Sequence, residues 1–395
     1  MIKEFKVANY FSIYETQTIS FSISKEDIED ESSFKTENGN NLNSIITVIG
    51  NNASGKTNIL KALSFLLWFA RGSYTSYRGS PLKGSTGIET HKLNSSKETD
   101  FELVFENNGK EYEYKLSLSR ESVTYESLKV KNEDVFNAIY EIKKEEDSFS
   151  FSEWALGSIN DVDKRRFIEI KNISMFSFLL STGHLPAIGI KDMVNYHNNL
   201  GYLGKISEYI RDIDEKLYRI FSENPEIKEK VLRFVKDSDI NISDFTYSND
   251  GRGRLNVKHD SNSGKGFSLP FLQESNGTQN CINLLNLAMR ILKDGGILIY
   301  DELESSLHPY LAKKIVGLFS NRETNPKYSQ LLFSTHMPWL LNDRTRSQIY
   351  LVEKDKDFKT EVYRLDDVEG VENNEDFCTN YLAGAYGAVA DMRWF

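Results

Sequence analysis

Apolar and polar residues alternate through the first third of the chain, and this period of two predicts strands at residues 2–8, 16–23, 100–106, 111–117 and 123–130. Asn107-Asn108-Gly109 supplies a hairpin turn between the third and fourth of these. One run breaks the alternation. Ile45-Ile46-Thr47-Val48-Ile49 is continuously apolar apart from Thr47, as expected of a strand (residues 44–49) covered on both faces. Residues 56–71 then switch to a helical period, with Ile59, Leu60, Leu63, Leu66 and Leu67 on the buried side. A Gly/Ser/Tyr-rich stretch over 72–87 reads as a loop.

From about 132 to 241 charged, helix-like patterns take over, with amphipathic helices expected near 203–221 and 226–236. Both are too short for long coiled-coil arms. Strands return at 242–248 and 254–259 around the turn Asn249-Asp250-Gly251. An apolar helix at about 280–292 leads through Gly295-Gly296 into the buried strand 297–300. A helix at 309–320 and strands at 329–333, 349–353 and 361–365 complete the pattern, without an internal repeat. The expected fold is α/β: a mixed sheet around the helix that starts at Lys56, an antiparallel N-terminal β-subdomain, and a helical insertion. The expected division is 1–131, 132–241 and 242–395.

Composition changes this picture little. Hydrophobic residues at 39% suffice for a core, so disorder is not expected. A net charge of −10 argues against a surface that is basic throughout, so nucleic acid would need a local patch or a dimer groove. Lys164-Arg165-Arg166 is too short to make one, and Lys143-Lys144-Glu145-Glu146-Asp147 reads as solvated surface. Cys281 and Cys378 lack metal-ligand spacing, as suits a reducing cytoplasm. The N-terminus alternates like a strand and does not read as a signal peptide. The most apolar stretch, 62–70, is far too short to span a bilayer. A soluble, cytoplasmic protein without membrane contact is expected.

Candidate chemistry starts where the apolar run ends. Gly50-Asn51-Asn52-Ala53-Ser54-Gly55-Lys56-Thr57, followed by Asn58 and a helix, is a phosphate-binding P-loop in its required strand–helix context. Its glycines let backbone N–H groups turn inward onto phosphate oxygens, and the helix adds its positive end. In such a loop Lys56 reaches the β- and γ-phosphates of ATP and the Thr57 hydroxyl ligates Mg²⁺. The strand 297–300 ends in Asp301-Glu302, which fits a Walker B pair: Asp301 for Mg²⁺, Glu302 to polarise the attacking water. His336, after a further apolar strand, is placed to contact the γ-phosphate. Ser275 and Gly277 open a helix after a polar turn, where they serve as a cap, a second phosphate contact, or both.

On these residues the chain resembles an ABC-class ATPase head of the RecF, SMC and OLD kind. Four stretches carry the likeness: 50–57, Glu274-Ser275-Asn276-Gly277-Thr278, 297–302 with Leu307-His308-Pro309, and Ser334-Thr335-His336. Asp301-Glu302-Leu303-Glu304-Ser305-Ser306-Leu307-His308-Pro309 is close to the form found in OLD-like heads. The ending Tyr381-Leu382-Ala383-Gly384-Ala385-Tyr386-Gly387-Ala388 resembles stand-alone ATPases of prokaryotic phage-defence operons, the RloA type. The likeness covers about 1–130 and 240–395.

It implies that two heads sandwich two ATP molecules. Lys56, Thr57, Asp301, Glu302 and His336 would act from one subunit, Ser275 and Gly277 from the other, with Ser305, Ser306 and Leu307 crossing between them. Slow hydrolysis would time a separate, nuclease-like effector in an antiviral complex. The alternative is a RecF-like DNA-repair ATPase with DNA across the head dimer. An ABC transporter subunit and a non-hydrolysing scaffold fit less well. Two features depart from the family. No glutamine occurs between Thr57 and Leu272, so His91 or Asn94 is the candidate substitute for the usual glutamine, and Phe11 stands where repair relatives carry arginine.

Overall fold

The computed structural model describes residues 1–24, 30–79, 85–145, 148–151, 167, 169–184, 193–200, 213–238, 240–247, 253–260 and 266–389. Among these, the strands are β1 Ile2–Ala8, β2 Gln17–Ser20, β3 Ser33–Lys35, β4 Asn41–Asn43, β5 Ile45–Gly50, β6 Thr99–Asn107, β7 Lys110–Leu118, β8 Val123–Asn132, β9 Val135–Glu145 and β10 Ser148–Phe151. The later strands are β11 Tyr196–Asn198, β12 Asp244–Tyr247, β13 Leu255–Asp260, β14 Gly266–Pro270, β15 Ile297–Tyr300, β16 Gln330–Thr335, β17 Ile349–Lys354 and β18 Thr360–Arg364. The helices are α1 Lys56–Gly79, α2 Met175–Ser181, α3 Ile213–Glu223, α4 Pro225–Lys236, α5 Asn276–Asp294, α6 Pro309–Ser320 and α7 Phe377–Leu382.

Two sheets organise the chain. One is antiparallel in the order β10-β9-β8-β7-β6-β1-β2; the other runs β11-β15-β16-β5-β17-β18 and is parallel except at β18. The parallel strands are covered on both faces, which is why they read as unbroken apolar runs. Ile46, Val48, Ile297, Ile299 and Leu332 join the core shared with α1 and the antiparallel sheet. Their neighbours Ile45, Leu298, Leu331 and Phe333 point to the opposite core, beneath α4, α5 and α6. Strand β5 lies between β16 and β17, so its C-terminal end opens at the middle of the sheet. That position fixes the site.

Several expectations are revised. The loop expected from residue 72 is helix as far as Gly79. The reason is tertiary: Tyr74 packs edge-on against Phe178 of α2, and its N–H donates to Ser177 Oγ (3.0 Å). The mid-chain segment is not helical from residue 132. Strands β9 and β10 extend the antiparallel sheet, with Tyr140 and Ile142 buried beneath the charged positions. The boundary expected at 131 therefore falls inside the β8–β9 hairpin, and Lys143 and Lys144 lie on a strand.

Beyond it, α2 is held by a buried carboxylate. Glu126 accepts from the Tyr114 and Tyr140 hydroxyls, Ser174 Oγ and the Met175 and Phe176 N–H groups, at 2.7–3.1 Å. Burial raises its pKa although the donors from Met175, Phe176, Ser174 and Tyr140 oppose the shift. Helix α3 is described from Ile213; residues 203–212 of the helix expected there, the turn 249–251, the cluster 164–166, and Glu146 and Asp147 lie outside the described residues. No helix among the described residues is long and apolar enough to cross a membrane.

Candidate functional site

The loop after β5 is moulded by two close approaches. A Cβ on Gly50 would lie 2.0 Å from the Val352 carbonyl oxygen on β17. A Cβ on Gly55 would lie 2.1 Å from Thr360 Oγ1, and Gly55 has φ +115°. Both glycines are demanded by β17 and β18 pressing on the loop. Thr360 Oγ1 donates to the Ser54 carbonyl (2.8 Å) and meets Ser12 Oγ (2.7 Å), which in turn accepts from Asn58 Nδ2 (2.7 Å). The loop is thereby fastened from outside, and its interior is left for a ligand. Lys56 is buried, and its ammonium donates to the carbonyls of Gly50 and Asn51, 2.8 Å each. Burial lowers its pKa, against the pull of Asp301, Glu302 and Glu304.

The acidic side of the site is set by strand ends. Asp301 follows β15 directly, and Ser334 at the end of β16 holds it: Ser334 Oγ donates to Asp301 Oδ1 (2.6 Å) and accepts from the Glu302 N–H (2.7 Å). The Ser334 carbonyl accepts from the Leu303 N–H (3.1 Å). Glu302 has φ +50°, an uncommon left-handed conformation for a non-glycine. Its carboxylate lies 3.9 Å from His336 Nε2. Glu304, nearly buried, accepts from the His336 N–H, while its Oε2 has no partner among the described residues.

A cavity of about 580 Å³ is lined by residues 52–58 together with Glu302, His336 and Lys354. The structure thus gathers Asn52, Ala53, Ser54, Gly55, Lys56, Thr57, Asn58, Glu302 and His336 around one space, with Gly50 and Asn51 beneath Lys56 and Asp301 behind Glu302. Ser275 and Gly277 do not line it. Ser275 caps α5, accepting from the Thr278 N–H (3.1 Å). A Cβ on Gly277 would stand 2.6 Å from the Ser306 carbonyl, so α5 starts pressed against the 305–306 turn. His91 and Asn94 are not brought to the cavity either. His91 Nδ1 caps a short turn by accepting from the Leu93 N–H, and the Asn94 carbonyl accepts from Asn9 Nδ2.

Four contributors escaped the sequence reading. Lys354 ends β17 and adds a second cation to the cavity. Ser334 and Glu304 brace the acidic turn and were legible only as members of quoted motifs. Asn199 follows β11, the parallel neighbour of β15. Its side chain both accepts from the Asp301 N–H (2.8 Å) and donates to the Asp301 carbonyl (2.9 Å). Replacing Asn199 by Ala should cut turnover by up to about 10²-fold through displacement of Asp301, with ATP affinity largely kept. Paired binding and phosphate-release assays check this; unchanged turnover would mean the amide clamp is dispensable.

A P-loop at the centre of a mostly parallel sheet, with an acidic pair ending the strand two places away, defines a P-loop ATPase domain. The chain belongs to the family described as "AAA domain, putative AbiEii toxin, Type IV TA system", whose model matches residues 45–342. No curated protein matches it. Among solved structures, the SMC head domain from Thermotoga maritima is 14% identical at TM-score 0.42, covering 92% of this chain and 98% of that one. An SMC head bound to the C-terminal winged-helix domain of ScpA gives 14% and 0.47, covering 92% and 97%. The SMC head with an extended coiled coil, bound to a ScpA domain derived from Pyrococcus furiosus, gives 13% and 0.44, covering 92% and 96%.

Proposed function

We propose that this ATPase domain is a switch: two copies close around two ATP molecules, and hydrolysis releases them. The observation that carries the reading is the split of the site. The cavity unites Lys56, Thr57, Glu302 and His336, whereas Ser275 is exposed outside it, at the N-terminus of a long helix. A second copy supplies the natural route from Ser275 and Gly277 to a γ-phosphate. Leu272, just before Ser275, and Tyr310, just after the Leu307-His308-Pro309 stretch, are exposed apolar side chains beside that helix start and turn. Such exposure suits a face that another chain covers.

Within one copy, backbone N–H groups of the P-loop would cradle phosphate, Lys56 and Lys354 supply positive charge, and Glu302 accepts the proton of the attacking water. His336 fixes the Glu302 carboxylate and touches the γ-phosphate. Magnesium, when bound, would supply charge neutralisation at the phosphates. Thr57, whose residue lines the cavity, and Asp301, whose Oδ2 stays outside the Ser334 bond, fit as its holders.

The switch reading extends to a regulatory subunit of a prokaryotic antiviral complex acting on a separate nuclease-like effector, and the family's toxin–antitoxin description supports that setting. The division into an N-terminal lobe, a mid-chain insertion and a C-terminal lobe belongs to the same proposal. Native mass measurement tests the core of it. Glu302→Gln with ATP and Mg²⁺ should form stable dimers or multiples of them, and adding Ser275→Arg should return monomers. Monomers in every condition would sink the sandwich. Turnover that rises sharply with added DNA would favour the DNA-repair alternative instead.

A further inference from the structure

A second cavity, of about 590 Å³, lies between α4, the end of α5, α6 and residues 323–327. It shares no lining residue with the nucleotide cavity. Pockets that take small organic ligands span about 300–1,000 Å³, so it has the size of a binding site. Its floor is apolar. Met289 and Leu292 lie three apart on α5 and so share one helix face, and Phe234 of α4 and Leu318 of α6 complete the floor. Phe234, Met289 and Leu292 are recessed, with 5–8% of their surface exposed, and Leu318 is half-buried. A floor set back in this way receives an inserted group and offers no flat face to a partner chain.

The rim is cationic in a chain of net charge −10: five lysine and arginine side chains stand there against three carboxylates. Pairing does not use the cations up. Lys230 and Lys293 share Glu226, at 2.8 and 3.1 Å. Lys314 meets neutral oxygens instead, donating to the Asp237 carbonyl (2.9 Å) and Ser238 Oγ (3.0 Å). Its ammonium is held 4.8 Å from the Phe234 ring centroid, directly at the apolar floor. Lys327 has no carboxylate at ion-pair distance among the described residues. Its stem packs over the end of α5, where a Cβ on Gly295 would stand 3.7 Å from Lys327 Cδ. Asp237 and Glu323 are exposed at the rim, where salt screens them.

We propose that this cavity is a binding site for a small organic anion with an apolar body, distinct from the nucleotide site. The body covers Met289, Leu292 and Leu318, and a carboxylate, sulfonate or phosphate head meets Lys314 and Lys327. Lys314 is preorganised for that contact, because two neutral acceptors and a ring fix its ammonium without cancelling its charge. A neutral ligand would gain only the floor, and a purely ionic one only the rim.

Fluorescence titration of the full chain with anilinonaphthalene sulfonate, beside the uncharged phenylnaphthylamine, reads the two halves separately. The sulfonate probe should bind one saturable site, and the neutral probe the same site more weakly. Lys314→Met/Lys327→Met keeps both stems and should weaken the sulfonate probe by about 10- to 100-fold, the loss expected of charge-assisted contacts, with the neutral probe unchanged. Lys314→Arg/Lys327→Arg should retain the sulfonate probe. Leu318→Trp, which fills the floor from a half-buried position, should exclude both probes. ADP should displace neither. A sulfonate probe bound as tightly by the Met variant as by the wild type would overturn the proposal. So would displacement by ADP, full binding to Leu318→Trp, or a wild-type chain that binds neither probe. Equal losses of both probes in the Met variant would overturn it too, since the lysines would then shape the floor and not meet the anion.

Discussion

ATP turnover by Glu302→Gln should fall about 10²–10⁴-fold while ATP affinity is retained, the loss expected when a general base is removed. Gln matches the carboxylate in shape but cannot accept a proton from water. The substitution is clean because the backbone at residue 302 is fixed by other atoms. Its N–H is bound by Ser334 Oγ, and the next N–H by the Ser334 carbonyl. Glu302 is also half-exposed, with the His336 ring 3.9 Å away, so replacing it strips no core of a partner. Phosphate release measured beside nucleotide binding checks the assignment. Unchanged turnover would remove Glu302 from its role and favour a scaffold that binds ATP without hydrolysing it.

Gly55→Ala should lower unfolding stability by roughly 3 kcal/mol, combining overpacking with a backbone state that alanine resists. The added Cβ would meet Thr360 at Oγ1 (2.1 Å), Cγ2 (2.7 Å) and Cβ (3.0 Å). Thr360 cannot retreat cheaply. It is buried, and its hydroxyl is committed to Ser54 and Ser12. Retreat would also pull Ser12 from Asn58, so ATP binding should weaken with stability. Denaturant unfolding of Gly55→Ala beside Gly55→Ala/Thr360→Ala separates the causes. Deleting the clashing Thr360 atoms should recover the steric part and leave the strain of φ +115°. No recovery at all would show that the clash is not what the glycine avoids.

Much of the fold was legible because the strongest signals are local. The strands Ile2–Ala8 and Ile297–Tyr300 and the helix Pro309–Ser320 match the residue pattern to the last position. Burial on one face or both writes itself directly into the spacing of apolar residues. Short elements did not show. Strand β11 has three residues, all partly exposed, and takes its place from pairing with β15. The charged strand β9 looked helical because half of its residues face water, and the pairing with β8 that selects a strand is tertiary. The Gly/Ser/Tyr stretch after Arg71 stayed helical because α2 packs on it, a contact made across about a hundred residues of chain.

The sequence by itself determined where the glycine-rich loop, the acidic pair and the histidine stand, since each lies at a fixed offset from its own strand. It also determined that Gly50 and Gly55 must be glycines, though not against what. Only the tertiary structure decided what surrounds them. Thr360, Ser12 and Val352 press the loop into shape from distant strands. Asn199 and Ser334 position the acidic turn, Glu304 holds the His336 N–H, and Lys354 adds charge from β17. These partners obey no spacing, because a hydrogen bond between strands depends on sheet order, and sheet order is set by the whole core.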